Sequence, residues 1–266
     1  MIKSPLPARF AANEEQKILF AHLLDLQSRA ENRNILQCGN FLSEADWRTA
    51  ETMLRAAGAG NFLFTGGYDD AERRCPVFLP DYLTAEEIEA QPALAEICFA
   101  QITTGKYDAD ALFSHRDCLG ALMALGIERE TVGDILPDRG GAVILLKTDI
   151  ADYVAQNLLE IGRHTVSVTI LETPPELRKE ELTEATDTVA SMRLDAVAAA
   201  VFNLSRGNAS EAISRGIVSV NGIVSTKADL TVGEGDKIAL RGKGRVILGA
   251  VDGTSKKGRI RFHYKK

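Results

Sequence analysis

The sequence predicts an α+β protein of three domains, and three observations support that prediction. The chain has 266 residues, which is enough for two or three modest domains. Its central stretch alternates predicted strands and helices, whereas the stretches on either side begin with amphipathic helices. Basic residues are concentrated near the C-terminus, which sets that part apart from an acidic remainder. We place an N-terminal helical domain at 1–80, a central domain at 81–178, a linker at 179–190 and a C-terminal domain at 191–266.

The N-terminal domain is predicted from two amphipathic helices. Apolar residues recur at helical spacing through residues 14–32. A second helix is expected over 43–58, because Ser43 is a favoured N-cap residue and a glycine stands at the other end. Residues 62–64 are read as a short strand. The first domain is therefore expected to be mainly helical.

The glycine pair Gly66-Gly67 allows two interpretations. Adjacent glycines can cradle a phosphate, or they can form a tight turn. Two glycines alone favour the turn. Arg73 and Arg74, which follow, could contact RNA or pair with neighbouring carboxylates.

The central domain has the predicted element order β-α-β-β-α-β, which is the arrangement of ferredoxin-like folds and of RNA-recognition (RRM-like) domains. Such domains stack bases on aromatic side chains of the sheet. Here the first strand offers only Phe99, so the fold permits stacking but the sequence does not support it. The predicted strands are 95–103, 133–136, 142–147 and 166–171, and the predicted helices are 114–125 and 149–162, with Ser114 and Asp149 as N-caps.

The linker prediction depends on composition. Residues 172–190 contain Pro174-Pro175 and are otherwise polar and acidic. Such a segment is typical of a linker or a short solvated helix. We therefore expect the C-terminal domain to be mobile relative to the rest.

Residues 193–222 predict two short helices and a hairpin. Apolar residues at helical spacing form one face of the first helix. Ser205 is placed as the N-cap of the second helix and Gly216 as its end. Asn221-Gly222 is a strong signal for a two-residue hairpin turn.

Charge divides the chain. From Arg193 to Lys266 there are 14 Lys and Arg against 6 Asp and Glu, a net charge of +8, whereas the other 192 residues have 17 against 31, a net charge of −14. This segregation indicates a basic module that meets phosphates, attached to an acidic body. The tail at 256–266 alternates basic and apolar residues. That alternation suits a strand facing phosphates, or a solvated edge strand protected by lysines.

The C-terminal pattern resembles an S4 RNA-binding domain. RLD at 193–195 is followed after nine residues by Ser205-Arg206, then by VNG at 220–222. In that family, two helices and a hairpin present basic side chains to structured RNA. A protein-docking module with surface arginines is the alternative. The resulting candidates for RNA binding are Arg193, Ser205, Arg206, Arg215, Asn221, Lys227, Arg241, Lys243 and Arg245, with Arg116 of the central domain as a further contact.

Longer motifs resemble the YlmH family of bacterial proteins, from about residue 10 to the end. They are GGYDDAERR at 66–74, SHRDCLGALMALGIERETVGDIL at 114–136, DIADYVAQNLLEIGR at 149–163 and GKGRVILGAVDGTSKKGRIR at 242–261. The resemblance implies an N-terminal helical domain, an RRM-like central domain and a C-terminal S4 domain. It also implies binding to large-subunit rRNA and to peptidyl-tRNA on stalled subunits, in ribosome-associated quality control, with other quality-control factors as further partners.

An RNA-modifying enzyme is the alternative function. Some pseudouridine synthases use an S4 domain as an RNA handle, and they need a catalytic aspartate in the body. Asp117 and Asp134 are the candidates here, although neither lies in the sequence setting of those enzymes. A deep cleft around a desolvated carboxylate would favour this alternative. We expect a protein without catalytic residues.

Cysteine usage and hydropathy bear on cofactors and localisation. Cys38, Cys75, Cys98 and Cys118 are scattered without a CxxC pair, so neither a zinc site nor a disulfide framework is indicated. No apolar run approaches the roughly 20 residues that span a bilayer, and the N-terminus lacks the apolar core of a signal peptide. We expect a cytoplasmic protein without cofactor, metal or membrane partner.

Overall fold

The computed structural model describes residues 6–105, 108, 111–175, 183–254 and 258–266. The chain forms two compact units, Met1–Arg178 and Lys179–Lys266. The predicted N-terminal and central domains both lie in the first unit. The predicted α+β class is confirmed, since helices and antiparallel sheets occur in both units.

The N-terminal part of the first unit combines helices with a small sheet. Ser43 caps its helix as predicted, and Asn13 caps the helix before it, because each side chain accepts a hydrogen bond from a backbone N–H group of the first turn. The sheet adds to the helices that the sequence predicts here. The helices are α1 (Leu6–Phe10), α2 (Glu14–Arg33) and α3 (Glu44–Ala56), and the strands are β1 (Gln37–Cys38), β2 (Phe62–Thr65) and β3 (Cys75–Phe78), in the antiparallel order β1-β3-β2.

The central part of the first unit has the predicted β-α-β-β-α-β order. The sheet is antiparallel in the order β5-β6-β4-β8-β7, which is the ferredoxin-like arrangement with one short strand added at the edge. The elements are α4 (Ala85–Ala90), β4 (Ile97–Thr104), α5 (His115–Ala124), β5 (Val132–Asp138), β6 (Gly141–Lys147), α6 (Thr148–Asn157), β7 (Glu160–Ile161) and β8 (His164–Leu171).

The prediction for α6 is wrong at both ends. The helix begins at Thr148, so Asp149 lies in its first turn, and Lys147 occupies the N-cap position. It ends at Asn157 rather than at Gly162. Gly162 has φ +62° and forms the turn between β7 and β8. The chain leaves the helix early because hairpin pairing of β7 with β8 replaces the last helical hydrogen bonds.

One face of the central sheet is covered by helices, and the other is covered around Phe99, while Thr103, Ser167 and Thr169 on that second face are exposed. Along β4, alternate residues such as Cys98 and Ala100 pack with the buried side chains of α5 and α6. Phe99, which points the other way, packs with Phe41 and Leu145. Its exposed fraction is 0%. The one aromatic residue that the first strand offers for base stacking is therefore covered by this protein's own N-terminal part.

The glycine pair belongs to that cover. Gly67 has φ +86°, and a Cβ atom built on it would lie 3.2 Å from Cζ of Phe99 and 3.3 Å from Cδ2 of Leu145. At Gly66 a Cβ would overlap Ala71. Only glycine therefore permits the close approach of this loop to the sheet. The turn interpretation of Gly66-Gly67 accounts for both residues.

The second unit packs two short helices on one face of a six-stranded antiparallel sheet. Buried residues of both helices and of alternate strand positions form its core. Asn221 (φ +52°) and Gly222 (φ +78°) form the predicted hairpin turn. The elements are β9 (Glu184–Val189), α7 (Leu194–Val201), α8 (Arg206–Ser214), β10 (Val218–Val220), β11 (Ile223–Val224), β12 (Lys237–Leu240), β13 (Gly244–Thr254) and β14 (Ile260–Lys265), in the sheet order β11-β10-β12-β13-β14-β9.

The structure corrects the linker prediction. Residues 184–189 form strand β9, which pairs with β14 along its whole length. Val189 is buried in the core and Ala185 packs against it, while the residues between them are polar. Backbone pairing with β14 and the burial of Val189 outweigh the acidic composition. Residues 179–182 of the predicted linker lie outside the described residues.

The described helices were compared with the length and hydropathy that a membrane-spanning helix needs. In the part of the chain that the structure describes, none of them is both long enough and apolar enough to cross a bilayer.

Candidate nucleic-acid interface

Two candidate arginines of the second unit converge on one carboxylate. Arg193 Nε lies 3.2 Å from Asp195 Oδ1, and Arg206 Nη2 lies 3.2 Å from Asp195 Oδ2. Asp195 has an exposed fraction of 4%, while the side chains of Arg193 and Arg206 are 42% and 57% exposed. The carboxylate therefore holds two guanidinium groups at the surface, each with one side toward solvent.

The ionisation of Asp195 follows from these contacts. Burial alone would raise the pKa of its carboxyl, but the hydrogen bond from Arg193 and the charges of Arg206 and Arg193 outweigh burial, and the pKa is lowered. Its place in the first turn of α7 also puts a negative charge at the positive end of the helix dipole. Sequence reasoning did not name Asp195 as a site residue. The signal was present, because Asp195 is the carboxylate of the RLD motif.

Lys227 lies in the loop that supports this pair. Asp195 N donates to the carbonyl of Ala228, the next residue, at 3.0 Å, and Leu194 N donates to that of Leu230 at 2.8 Å. Lys227 is exposed. The loop therefore places a third basic residue beside the start of α7.

A second basic group lies where α7 and α8 end. Arg215 is the C-cap residue of α8 and is exposed. Arg241 N donates to the carbonyl of Ile217 at 3.0 Å, and Lys243 Nζ donates to that of Phe202, the C-cap residue of α7, at 3.2 Å. Lys243 thus satisfies a helix-terminal carbonyl and complements the helix dipole. The turn between β12 and β13 thus places Arg241 beside Ile217, two residues after Arg215, and Lys243 beside the end of α7.

Two other candidates of the second unit stabilise its fold. Ser205 Oγ accepts from Asn208 N at 3.1 Å and caps α8. The side chain of Asn221 donates to Asp236 Oδ1 at 2.8 Å and accepts from Lys237 N at 2.9 Å. These hydrogen bonds account for both residue types without a ligand.

Arg245 and Arg116 are separate from these groups. Arg245 lies on β13 opposite Ala239 of β12 and is exposed. Arg116 belongs to the first unit and is exposed in the first turn of α5. That turn is fixed by a capping box in which Ser114 and Asp117 bond each other's backbone N–H groups.

The two carboxylates that an enzyme could use have structural partners. Asp134, in β5, accepts from Tyr68 Oη at 2.8 Å, from Glu72 N at 2.7 Å and from Arg73 N at 2.9 Å. Asp117 is exposed, and its hydrogen bonds with Ser114 lower the pKa of its carboxyl.

A cavity of about 390 Å³ lies elsewhere in the first unit, between the end of α2 and the sheet of β1, β2 and β3. Neither Asp117 nor Asp134 lines it. Among the described residues there is no group of three or more His, Cys, Asp or Glu side chains that could hold a metal.

The fold of the second unit and its basic groups define the class of an S4-domain RNA-binding protein. Residues 192–238 match the family model described as "S4 domain", and residues 97–174 match the one described as "Putative RNA-binding domain in YlmH". Over 254 residues the chain is 32% identical to the ribosome-associated protein quality control protein P2 of Bacillus subtilis (strain 168), covering 95% of this chain and 96% of the relative. The chain belongs to the YlmH family.

A solved structure, the cell division protein ylmH from Streptococcus pneumoniae, is also similar. It is 18% identical in sequence and covers 60% of this chain and 93% of its own, with a TM-score of 0.48.

Replacing Asp195 with alanine is expected to destabilise the second unit by about 1–3 kcal/mol. Two charge-assisted partners are lost, although their partial exposure reduces the cost. Because the pKa of Asp195 is lowered on folding, its contribution is present above the unfolded value of 3.8 and is lost as the pH falls through the lower folded value. Urea unfolding at pH 7 and at pH 3 should therefore show a smaller difference between wild type and variant at pH 3.

Glu234→Ala is the matched control, since Glu234 is an exposed loop residue of the same unit. Its effect should stay within about 0.5 kcal/mol. A loss in Asp195→Ala that does not depend on pH would contradict the assigned role of the carboxylate charge.

Proposed function

We propose that this protein is a non-enzymatic RNA-binding factor of ribosome-associated quality control that binds rRNA of the large ribosomal subunit and peptidyl-tRNA. One observation carries the proposal: Asp195 holds Arg193 and Arg206 side by side at the surface of an S4 domain. The quality-control role is supported by the name of the Bacillus subtilis relative, which aligns over nearly the whole chain.

The geometry suits phosphate recognition. A guanidinium offers donors in a planar fork that matches a phosphate, and here each fork uses only part of its donors on Asp195. Because both side chains are already held, less side-chain entropy is lost when a phosphate binds. Contacts of this kind position an RNA and do not read its sequence.

The two basic groups of the second unit extend this surface. The group where α7 and α8 end adds Arg215, Arg241 and Lys243. The loop whose carbonyls accept hydrogen bonds from the start of α7 adds Lys227. Lys243 combines RNA contact with its helix-capping hydrogen bond. The excess of positive charge over such a surface steers a polyanion toward it.

The first unit contributes through its surface and not through base stacking. Phe99 is buried beneath the N-terminal part, so the sheet offers an RNA only polar side chains such as Thr103 and Thr169, and Arg116 is the candidate for a charged contact. The carboxylates Asp117 and Asp134, which an RNA-modifying enzyme would need, are engaged in structural hydrogen bonds. This supports the binding factor over the pseudouridine-synthase-like alternative.

The test is co-sedimentation with large ribosomal subunits, with and without peptidyl-tRNA, across a salt series. Binding should strengthen with peptidyl-tRNA. Arg215→Gln combined with Arg241→Gln should weaken it and lower the magnitude of the salt slope by about 1.4–1.8 units, since each phosphate contact contributes about 0.7–0.9. Arg29→Gln combined with Arg163→Gln removes the same charge from exposed positions of the first unit and should leave the slope unchanged.

Two outcomes would count against the proposal. If the Arg215 and Arg241 variant kept its affinity and slope, this surface would not contact RNA. If wild-type protein ignored the subunits but bound an isolated RNA tightly, the RNA-modifying enzyme or a regulator of another RNA would be favoured.

A further inference from the structure

The six-stranded sheet of the second unit has one face that the unit's helices do not cover. On β14, Phe262 and Tyr264 are buried in the core beneath α7 and α8. Side chains alternate between the two faces of a strand. Arg261, His263 and Lys265 therefore lie on the opposite, open face.

The strand register extends this face over the neighbouring strands. Residues directly opposite each other on paired strands share a face. Lys265 lies opposite Ile247 of β13, which lies opposite Lys237 of β12. Arg245 lies two residues before Ile247 and shares its face. One open face thus carries four basic residues: Lys237, Arg245, Arg261 and Lys265.

The acidic residues of the same face are fewer. Glu184 of β9 lies opposite Lys265 with an N–O distance of 3.4 Å, and both side chains are at least half exposed. Such an exposed ion pair contributes little to the free energy of unfolding. Asp252 Oδ2 is 2.5 Å from His263 Nε2, and His263 Nδ1 is 3.2 Å from Thr186 Oγ1. Against these two carboxylates the face has four permanently basic residues and one histidine.

The kind of ligand follows from what the face offers. Phe262 and Tyr264, the aromatic residues of its strands apart from the histidine ring, point into the core. The face therefore presents cations without a Phe, Tyr or Trp platform on which bases could stack. Alternate residues on β14 are about 6.8 Å apart, so Arg261, His263 and Lys265 form a regular row. A phosphodiester backbone is the polyanion that such a row of cations fits.

We propose that this open sheet face is a second surface for the RNA backbone, separate from the surface formed around α7 and α8. Strands β9, β13 and β14 lie outside the residues 192–238 that match the S4 domain, so three of the four basic residues, Arg245, Arg261 and Lys265, belong to the extension of the sheet. The inference rests on the proposed function, because it assumes that the protein binds structured RNA. With both surfaces engaged, the second unit would contact two segments of RNA backbone on opposite sides.

The test compares variants of the full chain for binding to a labelled hairpin RNA and to isolated large ribosomal subunits. Arg261→Gln combined with Lys265→Gln should weaken binding by about 3- to 10-fold at 0.1 M salt and lower the magnitude of the salt slope by about 1.4–1.8 units. Arg29→Gln combined with Arg163→Gln is again the charge-matched control.

Glu184→Gln provides a test of opposite sign. It removes a carboxylate from beside Lys265, so binding should strengthen by about 2- to 4-fold. A variant that merely folded poorly would lose affinity instead. The tightening should disappear when Lys265→Gln is also present if the two residues act at one contact.

The outcomes separate this inference from the proposed function. If wild-type protein binds neither RNA nor subunits, the proposed function fails. If wild type binds and the Arg215 and Arg241 variant weakens binding, but the Arg261 and Lys265 variant and Glu184→Gln do not change it, only the second surface is refuted. Binding to vesicles of phosphatidylserine and phosphatidylcholine is measured as the last comparison. Loss of vesicle binding without loss of RNA binding in the Arg261 and Lys265 variant would assign the face to lipid and overturn the inference.

Discussion

Phe99→Ala is expected to destabilise the first unit by about 3–5 kcal/mol, the range for truncating a fully buried phenylalanine. Phe99 has no exposed surface and packs with Phe41 and Leu145. Removing the ring would open a cavity between the central sheet and its cover, where the Gly67 loop also lies against the ring. Trp47 is the single tryptophan of the chain and lies in this unit, so its fluorescence during urea unfolding reports the change.

Phe99→Leu separates packing from RNA binding. Leucine keeps much of the apolar volume, so the loss of stability should be about 1–2 kcal/mol. RNA affinity and salt slope should equal those of wild type, because the structure leaves no access for a base at Phe99. A folded Phe99→Leu variant with weakened RNA binding would show that the cover opens and the sheet contacts bases after all.

Asp134→Ala is expected to cost about 3–5 kcal/mol, the cost of removing one partner from a buried charged network. The substitution leaves Tyr68 Oη, Glu72 N and Arg73 N without their acceptor. The guanidinium of Arg73 also loses a compensating charge. Burial, together with the charge of Arg129, lowers the pKa of Arg73 to about 10, while Asp134 acts in the opposite direction. Unfolding in urea, followed by Trp47 fluorescence, measures the loss.

The control for Asp134 is Asp25→Ala on the exposed side of α2, which should change stability by no more than about 0.5 kcal/mol. Asp134→Asn keeps the shape of the side chain but has a single acceptor oxygen, so it should fall between wild type and Asp134→Ala. A stable Asp134→Asn variant that lost an RNA-modifying activity would instead identify Asp134 as a catalytic residue. Full stability in Asp134→Ala would refute the structural role.

Local signals were enough to predict several elements from the sequence. Ser43, Ser114 and Ser205 each cap the helix that follows, as predicted, because a cap needs only a hydroxyl and the N–H groups two or three residues away. Asn221-Gly222 forms its turn because both residues tolerate positive φ. The order of the central strands and helices was predictable for the same reason, since periodicity is a property of neighbouring residues.

Short strands were harder to predict. Cys75–Phe78 is buried at every position and shows no alternation, and Glu184–Val189 has the composition of a linker. Each becomes a strand through hydrogen bonds with residues far away in the chain. Pairing of this kind depends on the partner strand, so a local pattern predicts it poorly.

By itself the sequence determined the α+β class, the helix caps, the hairpin turn and the basic character of the C-terminal module. Only the tertiary structure decided which charges meet. It places Asp195 between Arg193 and Arg206, which are 13 positions apart in sequence. It also buries Phe99 beneath the N-terminal part. The physical reason is that capping and periodicity act over a few residues, whereas ion pairs and burial depend on how the whole chain packs.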